Sequence, residues 1–147
     1  MHHITDKLHE ECGVFGIRSN REDVVNSVYH GLYALQHRGQ ESCGIAINDD
    51  GIITGHKGVG LVSEVFTKDA IEKLPRGNMA IGHCRYSTAG GLSVVNAQPL
   101  VIRHIKGTMA IAHNGNLTNA AALKEELELT GAIFHTTSDT EVISYTI

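Results

Sequence analysis

The order of short apolar segments along the chain constrains its fold more than any other feature of the sequence. Two stretches, 43–54 and 100–113, each contain two apolar runs separated by a turn, which is typical of a β-hairpin. Further strands are predicted at 12–17 and 79–82, where short apolar runs are broken by glycine. The segments do not repeat as strand–helix–strand units, so we expect a layered α+β domain.

Longer helices are predicted in three places. Apolar residues at three- and four-residue steps between 25 and 35 predict a first helix that is capped at Gly39. A second helix is predicted over 120–129, closed by Gly131, and a short strand is predicted to follow it over 132–135. Ser138–Glu141 has the sequence of a capping box, in which a serine and a glutamate three residues later each accept a backbone N–H of the other. A third helix is therefore expected to begin at the second residue of this tetrad.

Composition and charge argue against several classes of function. The net charge of −4 gives no reason to expect nucleic acid or an anionic membrane surface as a partner. No apolar run approaches the roughly 20 residues that cross a bilayer, and the first eleven residues lack the apolar core of a secretion signal. We therefore expect a cytoplasmic protein. Three widely spaced cysteines argue against a disulfide framework and against a CxxC metal site, so no metal ligands are predicted.

Cys12 is the first candidate for chemistry. A cysteine in an apolar run is usually a packing residue, and we interpret Cys43 and Cys84 in this way. Cys12 differs because an eleven-residue polar leader, Met1–Glu11, precedes it and a strand begins abruptly at the cysteine. Cleavage after Glu11 would give Cys12 a free α-amino group with an unperturbed pKa of roughly 7.7–8.0. That amine could take the proton of the thiol, so one residue would supply both nucleophile and base.

Three further positions predict a pocket for an amino acid when they are taken together. Asn114–Gly115, between a strand and a helix, would offer a side-chain amide and an N–H to an oxyanion, although Asn-Gly is also common in ordinary turns. Arg85 can bind a carboxylate through two parallel hydrogen bonds, with a surface salt bridge as the alternative. Asp139 can bind an ammonium group, with a favourable position at a helix N-terminus as the alternative.

Six motifs follow one another along the chain, namely Glu11–Ile17, Leu32–Glu41, Gly82–Gly90, Asn96–Pro99, His113–Leu117 and Ser138–Glu141. Together they resemble amidophosphoribosyltransferase, and the resemblance runs from Cys12 to the end of the chain. The glutamine-hydrolysing N-terminal-nucleophile domains of glucosamine-phosphate synthase, asparagine synthetase and glutamate synthase are similar in the Cys-Gly start and in the Asn-Gly. They differ in the residues of the second and third motifs.

The resemblance implies an α+β fold of four layers, an αββα sandwich of two antiparallel sheets of the N-terminal-nucleophile hydrolase type. It also implies that glutamine hydrolysis supplies ammonia to make 5-phosphoribosylamine from phosphoribosyl pyrophosphate, the first committed step of de novo purine biosynthesis. Cys12 matches the family's nucleophile, and Asn114 with Gly115 matches its oxyanion hole. Arg85 matches the residue that binds the carboxylate of glutamine, Thr88 matches a hydroxyl that supports it, and Asp139 matches the residue that binds the ammonium group.

The resemblance further implies how the full-length protein is divided into domains, one of which is not part of this sequence. Residues 1–11 match a propeptide, and 12–147 match a glutamine amidotransferase domain that we expect to be truncated, since the helix predicted from 139 reaches the last residue without a cap. The phosphoribosyltransferase domain is expected later in a full-length homo-oligomer. Mg²⁺ belongs with that domain, as does the 4Fe-4S cluster of the branch with a cleaved propeptide. No cofactor is expected in residues 12–147.

Two alternatives remain open. A stand-alone N-terminal-nucleophile amidohydrolase that acts on another amide would have an apolar pocket in place of Arg85 and Asp139. A non-catalytic module would bind glutamine without removal of the leader and without release of ammonia. The preferred hypothesis is that the thiolate of Cys12 attacks the side-chain amide of glutamine and forms a glutamyl thioester, which water then hydrolyses.

Overall fold

The computed structural model describes residues 12–19, 23–86 and 93–147. Within these ranges the chain forms two antiparallel sheets with helices on their outer faces. The leader Met1–Glu11 and Thr88 lie outside the described residues, so the expectations for them remain expectations.

The larger sheet places the beginning of one strand beside the end of another that is distant in sequence. Its strands lie in the order β1, β4, β2, β3, and every neighbouring pair is antiparallel. Gly13 at the start of β1 lies opposite Cys84 near the end of β4. The residue before β1 and the residue after β4 therefore lie at the same corner of the sheet. The strands are β1 (Gly13–Arg18), β2 (Ser42–Asp49), β3 (Ile52–Val59) and β4 (Met79–Arg85).

Helix α1 (Val24–Ala34) covers one face of this sheet and packs mainly on β1 and β4. Val28 and Leu32 are fully buried, and such burial contributes about 1.5–3 kcal/mol for each side chain. Their contact requires glycine at position 82, because a Cβ there would lie 2.8–2.9 Å from atoms of both side chains. Two short helices, α2 (Val62–Val65) and α3 (Lys68–Glu72), follow the first hairpin, and the core around α1 includes Val62 of α2.

The predicted helix cap at Gly39 is wrong. Helix α1 ends at Ala34, a 3-10 turn follows at Gln36–Arg38, and Gly39 has an extended φ of −157°. The Gln36 side chain accounts for this path. It donates to the carbonyl of Gly39 and accepts the N–H of Val62. These two bonds hold the chain after the 3-10 turn in a path that does not continue α1.

The second sheet packs on the face of the first sheet that α1 leaves open. It consists of β5 (Leu100–His104) and β6 (Gly107–Ile111), which form the predicted second hairpin and contact β3. The chain at Gln98 passes close to Gly44 of the first sheet, where a Cβ would clash with the carbonyl oxygen of Gln98. The two sheets therefore pack face to face just before β5 begins.

Helix α4 (Ala120–Leu129) has the predicted bounds and ends as the glycine at 131 predicts. Gly131 has a φ of 100°, in the left-handed region. The N–H of Gly131 bonds to Glu128 O at 3.0 Å, and the N–H of Ala132 bonds to Leu127 O at 3.0 Å. This is the bonding pattern of a Schellman motif, which satisfies carbonyl groups that would otherwise lack a partner at the helix end.

Helix α5 (Asp139–Thr146) contacts both α4 and β5. In the described ranges the layers thus run from α1 through the two sheets to α4 and α5, and the expected α+β fold of four layers is confirmed. None of the helices in the described residues combines the length and the apolar character needed to span a membrane.

The strand predicted over 132–135 is wrong, because these residues are irregular. The buried carboxylate of Glu141 accepts the N–H of His135 at 2.9 Å, the N–H of Thr136 at 2.7 Å and the hydroxyl of Thr136 at 2.7 Å. The Glu141 side chain therefore accepts hydrogen bonds from backbone N–H groups that would pair with a neighbouring strand in a sheet.

The capping box predicted at Ser138–Glu141 begins a helix at Asp139, as expected, but its reciprocal bonds are not formed. The Ser138 hydroxyl accepts the N–H of Thr140 at 3.3 Å, whereas the N–H of Ser138 donates to the Thr136 hydroxyl at 3.1 Å. Since the Glu141 carboxylate is held by the preceding segment, it does not return to the N–H of Ser138.

Glu141 ties the segment before α5 to the helix in a way that depends on pH. Burial by itself raises the pKa of this carboxyl, but the bonds from His135 and Thr136 outweigh burial and hold the pKa below its ordinary value. A carboxyl with a lowered pKa in the folded state stabilises the fold above its unfolded pKa of about 4.3, and the stabilisation is lost as pH falls through the folded pKa.

We predict that Glu141→Gln lowers the free energy of unfolding by about 1–3 kcal/mol at pH 7, because charge-assisted bonds to buried groups are lost. The difference from the unsubstituted protein should shrink below pH 4. Urea unfolding between pH 3 and pH 8 measures it, with Glu126→Gln on the exposed face of α4 as the control. A difference that is absent at pH 7, or that grows in acid, would contradict this assignment.

Candidate active site

A cleft of about 410 Å³ opens beside the corner where β1 begins and β4 ends. This volume lies within the range of small-molecule sites, about 300–1,000 Å³. Helix α5 and the segment between β6 and α4 complete its walls. The structure brings together in this cleft five of the six residues that the sequence analysis selected, namely Cys12, Arg85, Asn114, Gly115 and Asp139. The sixth, Thr88, lies outside the described residues.

Cys12 is held on two sides. Its Sγ lies 3.4 Å from the N and 3.6 Å from the O of Tyr86, the residue that follows β4. Its carbonyl oxygen accepts bonds from Arg38 Nε at 2.9 Å and from Asn114 Nδ2 at 3.4 Å. The half-buried thiol is therefore placed by β4, by the 3-10 turn after α1 and by the segment after β6. Sequence reasoning did not single out Arg38, although it lies within the Leu32–Glu41 motif.

Asn114 and Gly115 follow β6, which ends at Ile111. The segment is anchored by the N–H of His113, which donates to Gln98 Oε1 at 2.7 Å. Because the Asn114 amide contacts the backbone of Cys12, an N–H donor and the thiol lie on the same cleft. This is the pairing of nucleophile and donor that stabilises a tetrahedral intermediate in acyl transfer.

Arg85, the last residue of β4, makes an ion pair that the sequence analysis did not predict. Its Nη1 lies 2.6 Å from Glu41 Oε1, and the two side chains are 22% and 11% exposed. Arg85 also lines the cleft. The salt bridge that was considered as the alternative is present. It is largely buried, whereas the alternative placed it on the surface, and its arginine lines the cleft.

Asp139 begins α5 and also lines the cleft. Its Oδ2 accepts the N–H of Leu117 at 2.7 Å, and its Oδ1 lies 3.9 Å from His113 Nδ1. The carboxylate thus fastens the segment between β6 and α4 to the start of α5. It remains 19% exposed, so a ligand in the cleft can reach it.

Burial shifts the pKa values of three groups on β2 and β4. Burial lowers the pKa of His83 to about 4, opposed in part by the main chain of His113 and reinforced by the charge of Arg85. Burial also raises the pKa of Cys43 and of Cys84 to about 12. At neutral pH the histidine is therefore uncharged and both buried thiols keep their protons.

Comparison with known proteins places these residues in a family context. Residues 67–147 match the family model described as a glutamine amidotransferase domain. An amidophosphoribosyltransferase of Bacillus subtilis (strain 168) is 52% identical over 95% of this chain and 29% of its own length. One of Methanocaldococcus jannaschii is 49% identical over 90% of this chain and 28% of its own length. The chain therefore spans less than a third of the length of these relatives.

Two solved structures share the fold. The first is described as the allosteric regulatory enzyme of purine biosynthesis, and it superposes with a TM-score of 0.84 at 50% identity, over 90% of this chain and 28% of that chain. The second is described as glutamine phosphoribosylpyrophosphate amidotransferase from B. subtilis complexed with ADP and GMP. It superposes with a TM-score of 0.81 at 48% identity over the same shares.

We predict that iodoacetamide alkylates Cys12 at least about 100-fold faster than Cys43 or Cys84 in the folded protein. A pKa of about 12 lowers the thiolate fraction roughly 1,000-fold relative to an ordinary thiol, and burial blocks access. Peptide mass spectrometry over a time course at pH 8 measures the rates. In denaturant all three cysteines should react at similar rates, and equal rates in the folded protein would contradict the prediction.

Proposed function

Since this chain belongs to the glutamine amidotransferase domain family, we propose that its cleft hydrolyses glutamine with the thiol of Cys12 as the nucleophile. One observation carries the proposal. A thiol (Cys12), a side-chain amide (Asn114), a guanidinium (Arg85) and a carboxylate (Asp139) line a single cleft of about 410 Å³, which has room for glutamine. Together they provide for attack, for oxyanion stabilisation and for recognition of both charged groups of the substrate.

The proposed reaction begins when the free α-amino group of Cys12 takes the proton of the thiol. Sulfur bonds to the side-chain carbonyl carbon of glutamine, and the oxygen gains a negative charge. The amide of Asn114 and the N–H of Gly115 stabilise that charge, and donors of this kind contribute about 100- to 1,000-fold in rate each. The C–N bond then breaks, and the α-ammonium returns the proton to the departing nitrogen as ammonia leaves. Water attacks the thioester, which releases glutamate and regenerates the thiol.

The charges of the cleft suit a zwitterionic substrate. Arg85 would bind the α-carboxylate and Asp139 the α-ammonium of glutamine, with Thr88 in support of the carboxylate. These groups stand where a stand-alone amidohydrolase for an apolar amide would need apolar side chains. The polar lining therefore favours an amino acid as the substrate.

For the full-length protein we propose the activity of an amidophosphoribosyltransferase, in which ammonia from glutamine and phosphoribosyl pyrophosphate give 5-phosphoribosylamine. The identity of about half of the aligned residues supports this. No three His, Cys, Asp or Glu side chains of the described residues form a cluster that could hold a metal ion. For the remainder of the protein we propose Mg²⁺ and a 4Fe-4S cluster, as the resemblance to amidophosphoribosyltransferase implies. Homo-oligomers and a cytoplasmic location complete the proposal.

We predict that Cys12→Ala lowers ammonia release from glutamine by at least about 1,000-fold, because the covalent intermediate cannot form. The variant of the full-length protein should still make 5-phosphoribosylamine when ammonia is supplied directly. Cys43→Ala is the matched control, since Cys43 is a buried thiol outside the cleft. Glutamine-dependent ammonia release by Cys12→Ala at the rate of the control would refute the nucleophile assignment.

We further predict that protein that retains Met1–Glu11 is inactive, because a peptide bond at Cys12 removes the basic amine. Cys12 has a φ of 56°, a left-handed conformation that costs about 1–2 kcal/mol, and cleavage after Glu11 abolishes this torsion. Intact mass and ammonia release should be measured together on protein with the leader and on protein that begins at Cys12. Turnover by the unprocessed form would show that the amine is not the base.

A further inference from the structure

The ion pair between Glu41 and Arg85 belongs to the wall of the cleft, but the proposed mechanism does not use it. Glu41 is joined to Arg85 twice. Its carboxylate lies 2.6 Å from Arg85 Nη1, and its N–H donates to the Arg85 carbonyl at 3.0 Å. The carbonyl of Glu41 in turn accepts the N–H of Gly60 at 2.9 Å. Backbone bonds on both sides therefore fix the place from which the carboxylate reaches the guanidinium.

The segment that carries Glu41 lies directly against β4. A Cβ at Gly39 would lie 2.6 Å from the carbonyl carbon and oxygen of Cys84, so the close approach requires glycine at this position. One residue earlier, Arg38 donates to the carbonyl of Cys12. Residues 38–41 thus contact both the residue that carries the nucleophile and the residue that would clamp the substrate.

Glu41 bonds to one nitrogen of the Arg85 guanidinium, Nη1. Among the described residues that line the cleft, Arg85 is present and Glu41 is not. A guanidinium has five N–H groups in a rigid planar fork. Glu41 accepts a bond from Nη1. Among the described residues the other guanidinium nitrogens have no partner, so their N–H groups can bind a ligand. The plane of the fork is fixed before any ligand arrives, which lowers the entropy cost of binding.

A second consequence concerns Asp139, the opposite charge on the same cleft. An arginine without a fixed partner is attracted to a nearby carboxylate, and a direct pair between Arg85 and Asp139 would occupy both groups that recognise the substrate. Glu41 supplies Arg85 with a partner outside the cleft, while Leu117 N–H holds Asp139. Arg85 and Asp139 therefore each have a partner of their own, and both line the cleft.

We infer that Glu41 is a positioning residue for substrate recognition, which holds the guanidinium of Arg85 in the orientation that binds the α-carboxylate of glutamine. This inference rests on the proposed function. The competing account is that Glu41 occupies the substrate's place on Arg85. The two accounts differ in sign, because loss of a positioning residue raises the KM for glutamine and loss of a competitor lowers it.

Glu41→Gln in the full-length protein, processed at Cys12, tests the inference, with Glu72→Gln on the exposed face of α3 as the matched control. We expect the KM for glutamine to rise about 10-fold, the size of effect typical for loss of one charge-assisted hydrogen bond. The kcat should change by less than about 3-fold, since Glu41 does not contact the reacting atoms. Glu41→Asp keeps the charge and should restore part of the affinity.

Two alkylating reagents separate positioning from general damage to the site. 6-Diazo-5-oxonorleucine carries the α-carboxylate and α-ammonium of glutamine, whereas iodoacetamide carries neither. Glu41→Gln should slow labelling of Cys12 by the first reagent about 10-fold and leave labelling by the second unchanged. In an Arg85→Ala background, Glu41→Gln should have no further effect on either the KM or the labelling, because it acts through Arg85.

Several results would overturn the inference. They are an unchanged or lowered KM in Glu41→Gln, equal slowing with both reagents, or an additive effect in the Arg85→Ala background. If Glu41→Gln does not fold, as judged by thermal unfolding, a KM for Glu41→Asp equal to that of the unsubstituted protein overturns it, and a raised KM supports it. Failure of the unsubstituted protein to release ammonia from glutamine would instead refute the proposed function, and the inference with it.

Discussion

The antiparallel pairing of β1 with β4 is the interaction on which the rest of the site depends. It places Gly13 opposite Cys84, so Cys12 and Tyr86, which are 74 residues apart in sequence, become neighbours at one corner of the sheet. The contact of α1 with both strands buries Val28 and Leu32 and stabilises this corner from the outer face. A shift of the register by one residue would turn the side chains of β1 to the other face of the sheet and would move Cys12 relative to Tyr86. The hydrophobic core and the candidate active site are therefore specified by the same strand pairing.

The packing of the second sheet on the first supplies the other half of the cleft. Where Gln98 passes close to Gly44, its side chain also accepts the N–H of His113, which sets the path of the chain toward Asn114. Asp139 then ties that path to the start of α5 through Leu117. The polar groups of the site thus lie on segments that leave the ends of rigid elements, as is common for functional residues on a stable scaffold. Their relative positions depend on contacts between the layers.

Local patterns in the sequence predicted well those elements whose ends are decided locally. Helix α4 has the predicted bounds, because Gly131 can adopt the left-handed conformation that completes a Schellman motif. The same reasoning was wrong at Gly39 and at 132–135. In both places a side chain, Gln36 or Glu141, takes backbone groups that the local pattern assigned elsewhere. The glutamate of the apparent capping box could bond to two sets of N–H groups, and the fold decided between them.

The sequence by itself determined the kinds of element, the layered α+β class, the resemblance to a glutamine amidotransferase and the identity of five residues that share the cleft. These follow from periodicity, turn residues and motifs, which are properties of short segments. Only the tertiary structure decided that Glu41 pairs with Arg85 and that Arg38 holds the carbonyl of Cys12, since these partners are 44 and 26 residues apart. No local pattern specifies which distant charge a side chain will meet. That choice is made when two strands pair and a glycine lets a third segment pass against them.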